Sequence, residues 1–151
     1  MKIKILIFFY LQFTIYYLLL PKTAYAKDPN FDVAVNSDYD VDRDGVTTIS
    51  QEIKVTNKTE FYFTPTYTVS VGFSDIENIQ AYNSDGSIPT SLDDSNPANK
   101  KIKLTFPKRY AGLNKTNTFT LKFTTKDIAV KQGSIWEVSI PGIESAEDFT
   151  T

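Results

Sequence analysis

Apolar and polar residues alternate along most of this chain once a long apolar start has passed. In "FDVAVNSDYDV" the odd positions Phe31, Val33, Val35, Tyr39 and Val41 are apolar, broken only by Ser37. Asp32, Ala34, Asn36, Asp38 and Asp40 take the even ones. Successive side chains on a strand point to opposite faces, so this pattern predicts a strand with one buried and one wet face. Beyond Gly45, Ile49, Ile53 and Val55 share a parity with Gln51 between them. "TPTYTVSVGF" then alternates at Tyr67, Val69, Val71 and Phe73. Ile79 and Ala81 lead into Ser84-Asp85-Gly86, a turn signal, and "LDDSNPANK" reads as a polar loop. Three more alternating stretches follow: Ile102, Leu104 and Phe106; Phe119, Leu121 and Phe123; and Trp136, Val138 and Ile140, with Trp136 expected in the core. Helical spacing of apolar residues is missing, apart from a candidate turn near Thr125 to Val130.

Short alternating strands separated by turn signals predict an all-β fold, a two-sheet antiparallel β-sandwich of about 7–8 strands, with a barrel as the lesser option. Each inward residue contributes roughly 1.5–3 kcal/mol when fully buried. The chain has no Cys, so burial and hydrogen bonding alone must hold the fold.

The apolar start is of another kind. Lys2 and Lys4 precede an uncharged run from Ile5 to Leu20, and Ala24-Tyr25-Ala26 supplies a small-x-small site. The run is shorter than the roughly 20 residues a permanent membrane helix needs. It reads as a helical signal peptide over residues 1–26, cleaved after Ala26, with Ala24 and Ala26 as the recognised small residues. The expected domain is therefore residues 27–151, extracytoplasmic, secreted or at the cell surface, with no membrane span after cleavage. No Cys stands at the cut for lipid attachment.

Charge is unevenly spread. The part after Ala26 holds 18 acids and 13 bases, a net charge of −5; residues 28–44 alone hold six Asp and one Arg, while residues 100–131 hold nine Lys or Arg and only Asp127. Such asymmetry marks either a polyanion-binding face or two stretches on facing or neighbouring strands that partly neutralise each other. The second is preferred, because no nucleic-acid motif or aromatic-interleaved basic groove is present and no nucleic-acid partner is expected.

Asp40, Asp42 and Asp44 followed by Gly45 resemble the opening of a calcium loop. With Asp40 at loop position 1, position 12 is Gln51 rather than a bidentate carboxylate, and both flanks read as strands. A hairpin explains more: Asp42-Arg43-Asp44-Gly45 suits a type I turn followed by a left-handed Gly, with Asp32, Asp38, Asp40 and Asp42 on the wet face. The three aspartates stay as weak metal candidates only, and no cofactor is expected.

The chain has no His, which removes the usual general base and the commonest metal ligand. Asp93-Asp94 and Glu147-Asp148 are adjacent carboxylates in loop-like sequence, where neighbours point apart. No Ser-x-x-Lys motif is present, and the six Gly are scattered singly. Asn57-Lys58-Thr59 and Asn114-Lys115-Thr116 match the N-glycosylation pattern, which arises often by chance. The best ligand surface is Phe61-Tyr62-Phe63, since three consecutive rings cannot all face inward from one strand. Lys101 and Lys103, in the Lys-rich segment with Lys100, Lys108 and Arg109, are the second.

The phrases "EIKVTNKTEFYFTPTYTVSVGFSDIENIQAYNSDG", "YAGLNKTNTFTLKFTTKDIAVKQG" and "IWEVSIPGI" together resemble the N-terminal β-rich region of secreted, membrane-anchored transglutaminase-like proteins of candidate-phylum bacteria. The resemblance spans about residues 31–149 and rests on running similarity. It implies a β-sandwich preceding a papain-like domain with a Cys–His–Asp triad, often followed by a membrane helix. None of that triad transfers to a chain without Cys or His. The expected function is thus a non-catalytic interaction or spacer module, the leading part of a longer surface protein or a truncated product. The alternative is a carbohydrate- or envelope-polymer-binding module. The partners foreseen are a downstream domain, an envelope polymer or a surface protein.

Overall fold

The computed structural model describes residues 30–140. The expected leader with its cleavage site at Ala24 and Ala26, and the pair Glu147-Asp148, lie outside the described residues. Within them the chain is all β and antiparallel, with ten strands rather than seven or eight. In chain order they are β1 (Phe31–Val41), β2 (Thr47–Asn57), β3 (Thr66–Val71), β4 (Glu77–Asn83), β5 (Gly86–Ser87), β6 (Thr90–Asp93), β7 (Lys100–Thr105), β8 (Thr116–Thr125), β9 (Ala129–Gln132) and β10 (Ile135–Val138). Three sheets result: β1-β2-β8-β4-β5, β3-β7-β6, and the β9–β10 hairpin. Among the described residues no helix is long and apolar enough to cross a membrane.

The first two sheets form the sandwich. β2 and β8, inner strands of the larger sheet, keep a nearly strict alternation of buried and wetter positions. Ile49, Ile53, Val55, Phe119, Leu121 and Phe123 face inward from them, against Tyr67, Val71, Ile102 and Leu104 from the smaller sheet. Aromatic edges lock the layers: the Phe119 ring meets Tyr67 at 5.4 Å and Phe106 at 5.0 Å, both edge-on. Phe73 leans on Phe123 at 6.1 Å. Edge-to-face contacts suit the aromatic quadrupole and add to simple burial.

Alternation alone overstated burial at the margins. Three strands cannot cover five, so only Phe31 of edge strand β1 is fully buried; Val33 and Tyr39 pack partly against the core, and Val35 is exposed. The two polar interruptions of the apolar pattern turn out to be cross-strand partners. Ser37 lies opposite Gln51, whose amide nitrogen reaches the Ser37 hydroxyl at 3.4 Å.

The last alternating stretch is not core. β10 pairs only with β9, leaving Val138 and Ile140 exposed and Trp136 half-buried. The helical turn expected near Thr125 to Val130 is also absent: residues 126–128 form a bend that buries Ile128 and leads into β9. Asp127 fixes that bend. Its carboxylate accepts from the Ser74 hydroxyl at 2.9 and 3.0 Å and from the Asp75 N–H at 3.2 Å, tying the β8–β9 bend to the β3–β4 connection. Burial works against its charge, but the Ser74 and Asp75 donors and the Lys100 ammonium outweigh it and hold its pKa below the ordinary value. A carboxylate depressed in the folded state adds stability above the unfolded pKa, about 4, and loses it as pH falls through the folded value. The melting-temperature difference between wild type and Asp127→Asn is therefore expected to be largest above pH ~4 and to shrink at lower pH. A difference that stays constant down to pH ~2 would show that the ionised carboxylate carries none of it.

Candidate functional site

The Asp40–Asp44 stretch folds as the hairpin. The Gly45 N–H donates to the Asp42 carbonyl at 3.2 Å, the Asp42 N–H donates to the Val46 carbonyl at 3.0 Å, and Gly45 has a left-handed φ of 81°. Asp42 Oδ1 accepts from the Asp44 and Val46 N–H groups, each at 2.9 Å, so this carboxylate is spent on shaping the turn. Among the described residues no group of three or more acidic, His or Cys side chains is placed to hold a metal.

Neutralisation between the acidic and basic stretches is not seen between neighbouring strands, because β2 separates β1 from β8 and β7 belongs to the other sheet. Opposite charges meet locally instead. Lys58 sits 3.4 Å from Asp32 and Lys108 sits 3.2 Å from Asp85. Lys101 lies opposite Asp93 across β6–β7. Asp93 is held below the ordinary carboxylate range first by the Ser95 hydroxyl and N–H and lastly by the Lys101 charge, with burial opposing. Lys101 is therefore half-buried beside an acid, and Lys103 is exposed between Thr68 and Ser91.

The ring triplet is displayed by a short loop that Asn57 builds. This side chain is only 1% exposed; its Oδ1 accepts from the Thr59 N–H and hydroxyl, each at 2.8 Å, and its amide nitrogen donates to the Tyr62 carbonyl. Asn57 is thus a loop anchor, with both ends of its amide committed to the loop. Phe61 stands 86% exposed and Tyr62 about half, while Phe63 is half-buried with the Arg109 guanidinium 4.8 Å above its ring. The structure brings Arg109 to the triplet but leaves Lys101 and Lys103 farther along the sheet, opposite Ser70 and Thr68.

Sequence reasoning missed a groove beside the β4–β5 turn, an open depression of about 520 Å³. Its wall is a polar relay. The Asn83 amide donates to the Tyr110 hydroxyl at 3.0 Å and lies 3.4 Å from Asn117 Oδ1, and the Asp85 N–H donates to Asn83 Oδ1 at 2.9 Å. Tyr110 donates to Asp85, which is also held by Lys108; these two partners keep Asp85 below the ordinary carboxylate range. Burial, followed by the hydrogen bond to Asp85 and then that carboxylate's charge, pushes the Tyr110 phenol up. Asn83, Tyr110 and Asn117 are far apart in sequence, and no local motif announces their meeting. Comparison with known protein families, curated proteins and solved structures finds no match.

Proposed function

We propose that this chain is a non-catalytic, extracytoplasmic β-sandwich module for interaction and spacing, the leading part of a larger transglutaminase-like protein at a bacterial surface. The leader-like residues 1–26, the lack of Cys and His, and the running similarity of residues 31–149 support the reading. The observation that carries it is the β9–β10 hairpin. Val130, Ile135, Val138 and Ile140 are all exposed within this one short segment, Ile135 by 70%. A two-stranded ribbon is marginal on its own, and clustered exposed apolar side chains mark a surface that another partner covers. A domain attached after residue 151 would meet this ribbon at high effective concentration.

Amide hydrogen exchange tests this. The reading frame is extended past Thr151 and residues 129–140 are compared in the shorter and longer proteins. Added protection in the longer one is the expected result. A stop codon directly after Thr151, or unchanged exchange, removes the parent protein from the reading. Reproducible hydrolase or transferase activity of the purified chain, lost on one substitution, removes the non-catalytic part.

The second reading, binding of a carbohydrate or envelope polymer, draws on the open Phe61 and Tyr62 rings beside Arg109. Salt-sensitive retention on cell-wall material, reduced by Phe61→Ala, is its expected sign.

A further inference from the structure

The larger sheet ends on a long unpaired edge. β1 runs eleven residues in an unbroken register with β2, and among the described residues no strand lies on its other side. The ladder fixes which backbone groups are left over. The Asn57 N–H donates to the Lys115 carbonyl and the Asn57 carbonyl accepts from Asn114, so Asn57 turns its backbone to the β8 side. The next residue turns the other way, the Lys58 N–H donating to the Asn30 carbonyl. Residues of an antiparallel strand alternate between their two neighbours in this manner. The even residues of β1 therefore bond to β2, and Val33, Val35, Ser37 and Tyr39 point their N–H and C=O groups away from the sheet.

The two faces of this edge differ in chemistry. On the inward face Val35 is exposed and Val33, Ser37 and Tyr39 are half-buried, leaving apolar surface beside the edge. On the outward face Ala34, Asn36, Asp38 and Asp40 are all exposed. Asp38 and Asp40 lie opposite Ser50 and Thr48, and Asn36 lies opposite Glu52, so no cation stands across from them on β2. Free edges are commonly guarded by a bulge, Pro, Lys or an inward-pointing charge. β1 has none of these; its acids point outward and repel only another acidic strand. A second copy of this chain is thereby disfavoured. Antiparallel self-pairing would set Asp38 and Asp40 of each strand along one seam, with like charges on a shared face.

We propose that β1 accepts an added strand from a protein partner whose extended segment alternates basic with apolar residues. The partner's backbone completes the N–H and C=O groups of Val33, Val35, Ser37 and Tyr39. Its apolar side chains continue the inward face beside Val35, and its Lys or Arg side chains meet Asp38 and Asp40 on the outward face. Main-chain bonds supply the affinity, and the alternating side chains select the partner. This edge is separate from the β9–β10 ribbon on which the interaction-module reading rests, and it needs no domain after Thr151.

The test is an NMR titration of the ¹⁵N-labelled protein with three heptapeptides, each to ~5 mM, past a millimolar Kd. The first alternates Val or Thr with Lys, and the second has Glu in place of Lys. The third is the first with its Val and Thr nitrogens methylated, which removes the donors that face β1. The Lys peptide is expected to shift the amides of residues 33–41 saturably, and the other two to bind about tenfold more weakly or not at all. In the double variant Asp38→Lys/Asp40→Lys, changed only at exposed positions, the preference is expected to pass to the Glu peptide with the fold unchanged. The comparison of the three peptides on the wild-type chain decides the matter even without that variant. The proposal fails if no peptide shifts these amides, if the methylated peptide binds as well as its parent, if the preference survives the charge swap, or if the shifts centre outside β1. A dimer joined through residues 33–41 without peptide also overturns it, by making a second copy the occupant.

Discussion

Phe119→Ala is expected to lower the free energy of unfolding by about 3–5 kcal/mol. Phe119 lies mid-sandwich on β8, hydrogen-bonded between β2 and β4, and is 1% exposed. Its ring receives Tyr67 from β3 and Phe106 from the end of β7, so it holds both layers at once. Removing it forfeits the transfer energy of the ring and leaves a cavity that two sheets, fixed by their own ladders, cannot close. The edge-on pairings add about 0.5–1.5 kcal/mol each beyond area. No disulfide is available to offset the loss, since the chain has no Cys. Against the usual stability of a domain, about 5–15 kcal/mol, the variant sits near the unfolding threshold. Urea denaturation followed by far-UV circular dichroism measures the change. A loss below ~1 kcal/mol would mean that the layers do not pack through this ring. Phe61→Ala, at the solvent-facing end of the display loop, provides the matched control and is expected to stay within ~0.5 kcal/mol of wild type.

Period two was readable where a strand is paired on both sides and faced by the opposite layer. β2, β7 and β8 meet that condition, and their inward residues Ile49, Ile53, Ile102, Leu104, Phe119, Leu121 and Phe123 are all buried. The same period misplaced Trp136, Val138 and Ile140. Alternation records which residues share a face of a strand, but not whether a second sheet covers that face. The β1–β2 turn was legible because its chemistry is local: a side-chain acceptor at Asp42 and a left-handed Gly45 determine it within four residues. The display of Phe61 followed from the impossibility of burying three adjacent rings. The Tyr82–Asn117 groove did not, because it arises from two strands of unequal reach and a relay between residues far apart along the chain. Chain order carries no trace of how far β4 extends alongside β8. That depends on a register shift between Glu77 and Gln80, where Asn78 takes a left-handed φ of 55°.

Gly45→Ala is expected to cost about 2–4 kcal/mol, through two effects that separate experimentally. The first is conformational. Gly45 has φ of 81°, and an L residue held in the left-handed region loses about 1–2 kcal/mol relative to glycine. The second is contact. A Cβ at this position would lie 2.6 and 2.7 Å from two ring carbons of Trp136, and 3.4 Å from the Ala129 carbonyl oxygen. The β1–β2 turn is thus the seat on which the β9–β10 ribbon rests, and the indole must lift to admit a methyl group. Lys131, its ammonium 5.7 Å from the ring centre, would move with it. Trp136 is the only tryptophan of the chain, so tryptophan emission excited at the red edge of the absorption band reports the surroundings of this one ring. A red shift in the folded protein is expected for Gly45→Ala, together with the stability loss. In a Trp136→Ala background the contact disappears, and the further cost of Gly45→Ala should fall to the conformational part of about 1–2 kcal/mol. Equal costs in both backgrounds, with unchanged emission in the single variant, would show that the ribbon does not rest on the turn. Residues 135–140 would then be held only through the β9 ladder and the Ser139 N–H bond to the Ile128 carbonyl, with no part played by the indole.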